Sequence, residues 1–357
     1  MISAVRTRVL DVPLHTPFVT ALRRTEATST VLVEIEDADG VVGLGEAPAV
    51  WQVTGESLAG ARACVDGPLA SVLVGRDPDD LRPLLRDVRG AVAANHGAKA
   101  AVDVALHDLV ARRRGVPLVV LLGGTERRVP TDVTLSVAEP ADLARTAGQR
   151  LADGFTAVKV KVGTDAVADV ERVRQVREAV GPDVAVRLDA NQGWTPRAAV
   201  TAIGRMEDLG LDVELVEQPV AAADLGGLAW VTDHVHTPVM ADESVFGLRD
   251  LVGVVSRRAA DLVNVKLAKC GGLVPAAAML ELCAAHEVGA MVGTMMETHV
   301  GVGAAASLAS AHGTPLLDDL DAAWWAAASP YVGGPTYDGP ALVLPDAPGL
   351  GVEGVRA

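Results

Sequence analysis

The chain has 357 residues, half of them hydrophobic, with 36 glycines and a formal net charge of −15. That length accommodates a full α/β barrel plus a smaller companion domain, and the acidic balance excludes a nucleic-acid partner, which demands clustered Lys and Arg. Arg6 and Arg8 interrupt the N-terminal stretch and no 18-residue apolar run occurs, so neither a leader nor a membrane span is expected and the protein reads as cytoplasmic.

Residues 1–12 alternate as a strand, and "TSTVLVEIEDADGVVGLG" (28–45) reads as two strands joined by a turn at Asp39-Gly40. From about residue 56 to 115 the pattern turns helical, most clearly in "GAKAAVDVALHDLVARRRG" with its glycine stop. Together these make a small α+β unit, placed at residues 1–122. Cys64, the first of three cysteines with Cys270 and Cys283, follows no paired spacing with the others, and all three read as reduced thiols.

After "PLVVLLGG" short β-branched runs alternate with Ala-rich helical stretches: "TDVTLSV", "AVKVKVG", "VAVRLDAN", "DVELVEQP", "TPVMADES", "ADLVNVKLAK", "GAMVGTMM" and "TPLLDDLD". The residues closing the later runs, Lys161, Asp189, Glu217, Asp242, Lys266, Gly293 and Asp319, lie 28, 28, 25, 24, 27 and 26 apart. One βα unit per period, eight in a row, predicts an α/β protein with a (β/α)7β-type TIM barrel over 123–322. The Gly/Pro-rich tail, 323–357, is expected to fold back and complete the N-terminal capping domain.

Alternation along "AVKVKVG" turns Val158, Val160 and Val162 toward the helices and Lys159 and Lys161 toward the barrel axis. Two neighbouring ammonium groups oppose each other's protonation, so at least one is expected to have a lowered pKa and to serve as a base near neutrality. The next three strands each end in an acid, Asp189, Glu217 and Asp242. An Asp at a βα junction also serves as a helix N-cap, so each alone is ambiguous. Three at one barrel mouth call for a hard divalent cation, and magnesium accepts three carboxylates while keeping positions for other oxygens. Asn191 shares parity with Asp189 and is placed behind the ligands, orienting one of them. On strand six Asn264 and Lys266 face inward, and Lys269 reads as a helix-start or surface lysine. Lys161 and Lys266, on opposite walls, would flank a substrate held between them.

These residues resemble the enolase superfamily, muconate-lactonizing subgroup, with KxK on strand two, Asp, Glu and Asp on strands three to five, and Lys on strand six. A lysine base beside magnesium is a property of that superfamily. His299, in "GTMMETHVG", falls after strand seven and is taken as structural. "VRLDANQGWTPRAAVTAI", "ELVEQPV", "PVMADESVF", "ADLVNVKLAKCGG" and "GEAPAVWQVTGES" are similar to the dipeptide epimerases, in particular the L-Ala-D/L-Glu type, over nearly the whole chain.

The resemblance implies Mg2+-dependent, two-base epimerisation of a dipeptide at the α-carbon of its C-terminal residue. Asp189, Glu217 and Asp242 would hold one Mg2+ per subunit, and Lys161 and Lys266 would exchange the proton. Lys159 would hold the substrate carboxylate and depress Lys161. Asp319 and Asp321 would bind the free ammonium, and Arg23, in "PFVTALRR", the glutamyl carboxylate. Thr134, Ser136, Met295 and Met296 would line the pocket. A homo-oligomer is implied by resemblance alone. Trp324, Trp325 and Arg24 depart from the family pattern. Competing readings are muconate cycloisomerase, o-succinylbenzoate synthase with N-acylamino-acid racemase activity, or a silent binding barrel.

Overall fold

The computed structural model describes residues 1–20 and 23–356. It begins with a long antiparallel ribbon, β1 (Ile2–Val19) and β2 (Arg24–Asp37), with β3 (Val42–Pro48) on the far side of β2. The turn between β2 and β3 closes on an Asp37 N–H to Val41 carbonyl hydrogen bond, with Gly40 at φ +81°, as the Asp-Gly pair predicts. β1 is longer than expected. Its pairing continues past Pro13 through a register shift to Val19↔Arg24, because an edge strand tolerates prolines that lack the ladder N–H. The extension carries Thr20 and Arg23 away from the sheet to a tip, where the Thr20 N–H donates to the Arg23 carbonyl.

Helices α1 (Leu58–Cys64), α2 (Leu81–Ala91) and α3 (His96–Arg113) cover one face of this sheet. Val31, Val33 and Ile35 pack there with Leu69, Leu84 and Leu106. β3 and α3 touch backbone to backbone: a Cβ on Gly45 would overlap the Ala101 carbonyl. The alanines along α3 permit that approach.

After α4 (Leu118–Leu121) and β4 (Arg128–Pro130) the parallel sheet begins. Its strands are β5 (Val133–Leu135), β6 (Ala157–Lys161), β7 (Ala185–Asp189), β8 (Val213–Glu217), β9 (Val239–Ala241), β10 (Leu262–Lys266) and β11 (Gly289–Gly293), adjacent in chain order. The helices between and after them are α5 (Pro140–Ala152), α6 (Ala166–Val180), α7 (Pro196–Asp208), α8 (Leu225–His234), α9 (Leu248–Arg257), α10 (Leu267–Cys270), α11 (Leu273–Ala285) and α12 (His299–His312). Val158, Val160, Val186, Leu188, Val263 and Val265 pack into the main core.

The eighth expected strand, "TPLLDDLD", is not a strand. Two single parallel bridges, Gly293↔Asp319 and Thr131↔Asp318, close the ring. Side chains replace the missing ladder. The Asp318 carboxylate accepts from the Val292 N–H at 2.8 Å and from the Thr314 hydroxyl, and the Thr131 hydroxyl accepts from the Leu320 N–H at 2.9 Å.

In the tail, β12 (Tyr331–Gly333) pairs with β15 (Val352–Val355), and β13 (Thr336–Asp338) and β14 (Ala341–Val343) form a sheet with β4. The tail meets the N-terminal unit at Asp108, whose buried carboxylate accepts from the Leu44 N–H at 2.8 Å and the Leu350 N–H at 2.6 Å. The Ala327 N–H donates to the Pro13 carbonyl as well. All three cysteines are free and buried. Among the described residues no helix is long and apolar enough to cross a membrane.

Candidate active site

Ladder register puts the polar strand ends at one level: Lys161 lies opposite Asp189, and Asp189 opposite Glu217. Asp242 follows β9 directly, Asn264 and Lys266 lie on β10, and the closing segment supplies Asp319 and Asp321. All of them are buried. Lys161 Nζ sits 2.5 Å from Asp189 Oδ2. Lys159 Nζ sits 2.6 Å from Glu217 Oε2, 2.8 Å from Asp319 Oδ2 and 3.4 Å from Asp189 Oδ2. On the far wall Lys266 Nζ is 2.8 Å from Asp242 Oδ2 and 3.8 Å from Glu217 Oε1. Glu217 therefore stands at the centre, one oxygen toward each lysine-bearing wall. The Asn264 amide donates to its Oε1 at 3.0 Å. A Cβ on Gly293 would overlap that amide.

The lowered pKa expected from the KxK pair is not found at Lys159. Burial works to lower it, but Asp319, Glu217 and Asp189 outweigh burial and raise it well above the ordinary lysine value. Lys266 is raised in the same way, burial being overcome by Asp242 and Glu217. Like-charge repulsion between lysines is the smaller effect once three acids share the cavity. Burial pushes Glu217 up to about 7 and Glu243 to about 8, with Asp242 and Asp189 adding to the rise at Glu243. At Asp242 burial is overcome by Lys266 and Lys269, which hold the carboxyl far below its usual range.

Lys269 is not a surface lysine. β10 passes directly into the one-turn helix α10, which turns Lys269 back onto the strand end with 1 % of its surface exposed. Its Nζ donates to the Asp242 carbonyl at 2.5 Å, to the Asn264 carbonyl at 3.0 Å and to Asp242 Oδ1. The available signal was its flanks: Leu267, Ala268 and Cys270 leave it no polar neighbour. Sequence reasoning also missed Glu243, and Arg187 beneath the site. Arg187 is 1 % exposed, bonded to Asp132 at 3.0 Å, Glu214 at 2.5 Å and the Leu317 carbonyl at 2.6 Å.

The donor set suits a hard divalent cation: three buried carboxylates on consecutive strands, all oxygen ligands. Asn191 Oδ1 and Glu243 Oε2 are buried nearby without a hydrogen-bond partner, a cost that a cation would relieve. As the side chains stand, among the described residues no three acids, histidines or cysteines converge on one point; the lysines take their oxygens. Asn191 lies behind Asp189, its N–H donating to Asp189 Oδ1 at 2.9 Å and its amide to Glu243 at 3.2 Å.

Above these groups opens a cleft of ≈ 610 Å³, counting its mouth, lined among others by Phe18, Arg23, Thr134, Met295, Met296 and Asp321. Ser136 does not line it. β5 ends at Leu135, and the Ser136 hydroxyl accepts from the Val19 N–H at 3.3 Å and faces an outer groove. His299 opens α12, buried beside Tyr337 with its ring centroid 6.3 Å away, and burial lowers its pKa to about 4. Asp319 is committed to Lys159, whereas Asp321 Oδ2 accepts from the Thr134 N–H at 2.7 Å and the Trp325 indole N–H at 3.1 Å.

A barrel with acids on three successive strand ends, flanked by lysines and capped by an α+β unit, defines the enolase-type enzymes. Residues 2–123 match the mandelate racemase/muconate lactonizing enzyme N-terminal domain and residues 142–356 the enolase C-terminal domain-like family, and the chain belongs to this family. It is 41% identical over 347 residues to the L-Ala-D/L-Glu epimerase of Clostridium acetobutylicum, covering 97% of each chain. The substrate-liganded L-Ala-D/L-Glu epimerase of Bacillus subtilis superposes with a TM-score of 0.96 at 42% identity, over 100% of this chain and 99% of that one. The Enterococcus faecalis dipeptide epimerase complexed with Mg and L-Leu-L-Tyr gives 0.94 at 39% identity, over 98% and 99%.

Proposed function

We propose that this enzyme epimerises a dipeptide at the α-carbon of its C-terminal residue, with Mg2+ as cofactor and L-Ala-L-Glu as the leading substrate. The carrying observation is the lysine placement: Lys161 and Lys266 sit on strands separated by three others, with Glu217 between their walls. Similarity to dipeptide epimerases along almost the entire chain supports the substrate class.

Asp189, Glu217 and Asp242 would hold the Mg2+. Bound there, it supplies Lewis-acid stabilisation of negative charge developing on the substrate carboxylate. Lys161 Nζ and Lys266 Nζ stand on opposite sides of the cleft, so one accepts the α-proton while the other, as ammonium, returns a proton to the opposite face. Lys159, held protonated by its acids, remains a fixed positive charge for the substrate carboxylate. Asp321, with Asp319 beside it, meets the N-terminal ammonium. Arg23 at the ribbon tip reaches the cleft from above and suits an acidic second side chain.

The test is α-proton exchange on L-Ala-L-Glu and L-Ala-D-Glu in D2O with Mg2+, followed by NMR. Lys161→Ala and Lys266→Ala are each expected to lose exchange of one diastereomer, not the same one. Two-way epimerisation in both variants would refute the lysine assignment. An N-acyl amino acid turned over in preference to every free-amino dipeptide would favour the racemase reading.

A further inference from the structure

We propose that Trp325 is a positioning residue that fixes Asp321 and walls the cleft behind it, so that the substrate's N-terminal residue is confined to a small side chain. The proposal rests on the dipeptide reading above and adds to it which N-terminal residues are admitted.

Asp321 Oδ2 has two donors, the Thr134 N–H at 2.7 Å and the Trp325 indole N–H at 3.1 Å. One donor lets a carboxylate rotate about its Cβ–Cγ bond; two from different directions fix its plane. That leaves Oδ1 as the oxygen presented to a cation. Asp319, the other member of the pair, spends its Oδ2 on Lys159, so Asp321 is the principal acceptor for the ammonium.

Trp325 also separates two spaces. It packs in one apolar cluster with Phe18 and Met296, its ring edge-on to Phe18 with centroids 5.1 Å apart. Phe18, Met296 and Asp321 line the catalytic cleft, whereas Trp325 lines an outer groove of ≈ 1140 Å³, counting its mouth, together with His15, Ser136 and Arg150. The indole is thus the partition between them. Ammonium nitrogen and side-chain Cβ share one carbon, roughly 2.5 Å apart. An ammonium held at Asp321 therefore places its own side chain against the Phe18–Met296 wall that Trp325 backs. On this proposal a methyl group is admitted there and a branched chain is turned away.

Two variants separate the roles. Trp325→Phe keeps the wall and removes the donor; Trp325→Ala removes both. For Trp325→Phe, KM for L-Ala-L-Glu is expected to rise about tenfold with kcat within about twofold, the loss of one hydrogen bond to a charged group. The inhibition constant of N-propionyl-L-Glu, which differs from the substrate only in lacking the ammonium, is expected to stay unchanged. For Trp325→Ala, the kcat/KM ratio of L-Leu-L-Glu to L-Ala-L-Glu is expected to rise at least about tenfold. Equal weakening of L-Ala-L-Glu and N-propionyl-L-Glu in Trp325→Phe, the signature of general structural damage, would overturn the proposal. So would an unchanged substrate ratio in Trp325→Ala. A wild-type enzyme that exchanges no dipeptide at all overturns the underlying activity, an outcome distinct from either variant result.

Discussion

Replacing Lys269 by Met keeps the unbranched stem, one atom shorter, and removes the charge from the base of the site. The ammonium is 1 % exposed and satisfies two backbone carbonyls and Asp242 Oδ1. At roughly 3 Å and an effective dielectric near 20, its attraction to the carboxylate is about 5–6 kcal/mol. Relief of the buried ammonium's own desolvation, several kcal/mol, opposes that loss. Removing one partner of a buried pair costs about 3–5 kcal/mol in practice, about a fifth or more of a typical stability of about 5–15 kcal/mol. After the substitution Asp242 keeps Lys266 at 2.8 Å as its ammonium partner. Urea unfolding followed by circular dichroism, with EDTA present, reads the effect. With a slope of about 2–3 kcal/mol/M the midpoint is expected to fall by roughly 1–2.5 M. A midpoint within about 0.3 M of wild type at unchanged slope would refute the view that Lys269 holds this end of the barrel together.

Burial, with Glu46 nearby, pushes the Glu297 carboxyl up to about 8. Its folded value lies above the unfolded one, so the native state binds the extra proton between about pH 4.5 and 8 and stability falls as pH rises through that window. Glu297→Gln keeps an acceptor for the Met295 N–H and is expected to flatten that fall, measured as the difference in thermal midpoint between pH 5 and pH 8; an unchanged slope would count against it. Arg23→Ala is expected to raise KM for L-Ala-L-Glu by roughly ten- to a hundredfold while leaving L-Ala-L-Leu nearly unaffected, checked by exchange kinetics on both. Gly45→Ala forces a Cβ into the Ala101 carbonyl, and scanning calorimetry is expected to register about 1–3 kcal/mol of destabilisation, with no loss contradicting the close β3–α3 contact.

The barrel was legible because the later apolar runs close, at all but Gly293, on a polar residue with a period near 26, and parity alone turned Lys159, Lys161, Asn264 and Lys266 inward. What stayed hidden has physical causes. The ring closes at Asp318 through a carboxylate and a threonine hydroxyl in place of a strand ladder, which no β-pattern records. The ribbon continues past Pro13 because an edge strand does not need the missing N–H, so the reach of Arg23 was readable from resemblance but not from alternation. Lys269 does lie in the helix that opens past the strand, as its spacing suggests, but that helix folds it back into the site and not out to the surface, which spacing does not record. The charge state of Lys159 depends on acids contributed by three separate segments, a sum that two neighbouring lysines in the sequence do not convey.

The ribbon that carries Arg23 is rooted among Val31, Val33 and Ile35 in the N-terminal unit, yet ends over a cavity whose floor is built by the barrel. From Val31 to Arg24 it spans about seven residues, a lever arm of roughly 23 Å at 3.3 Å per residue, so a tilt of about 5° at its root swings the tip by about 2 Å. With Arg23 in its proposed role, selectivity for the second side chain can thereby drift through hinge geometry while the barrel's residues keep their places.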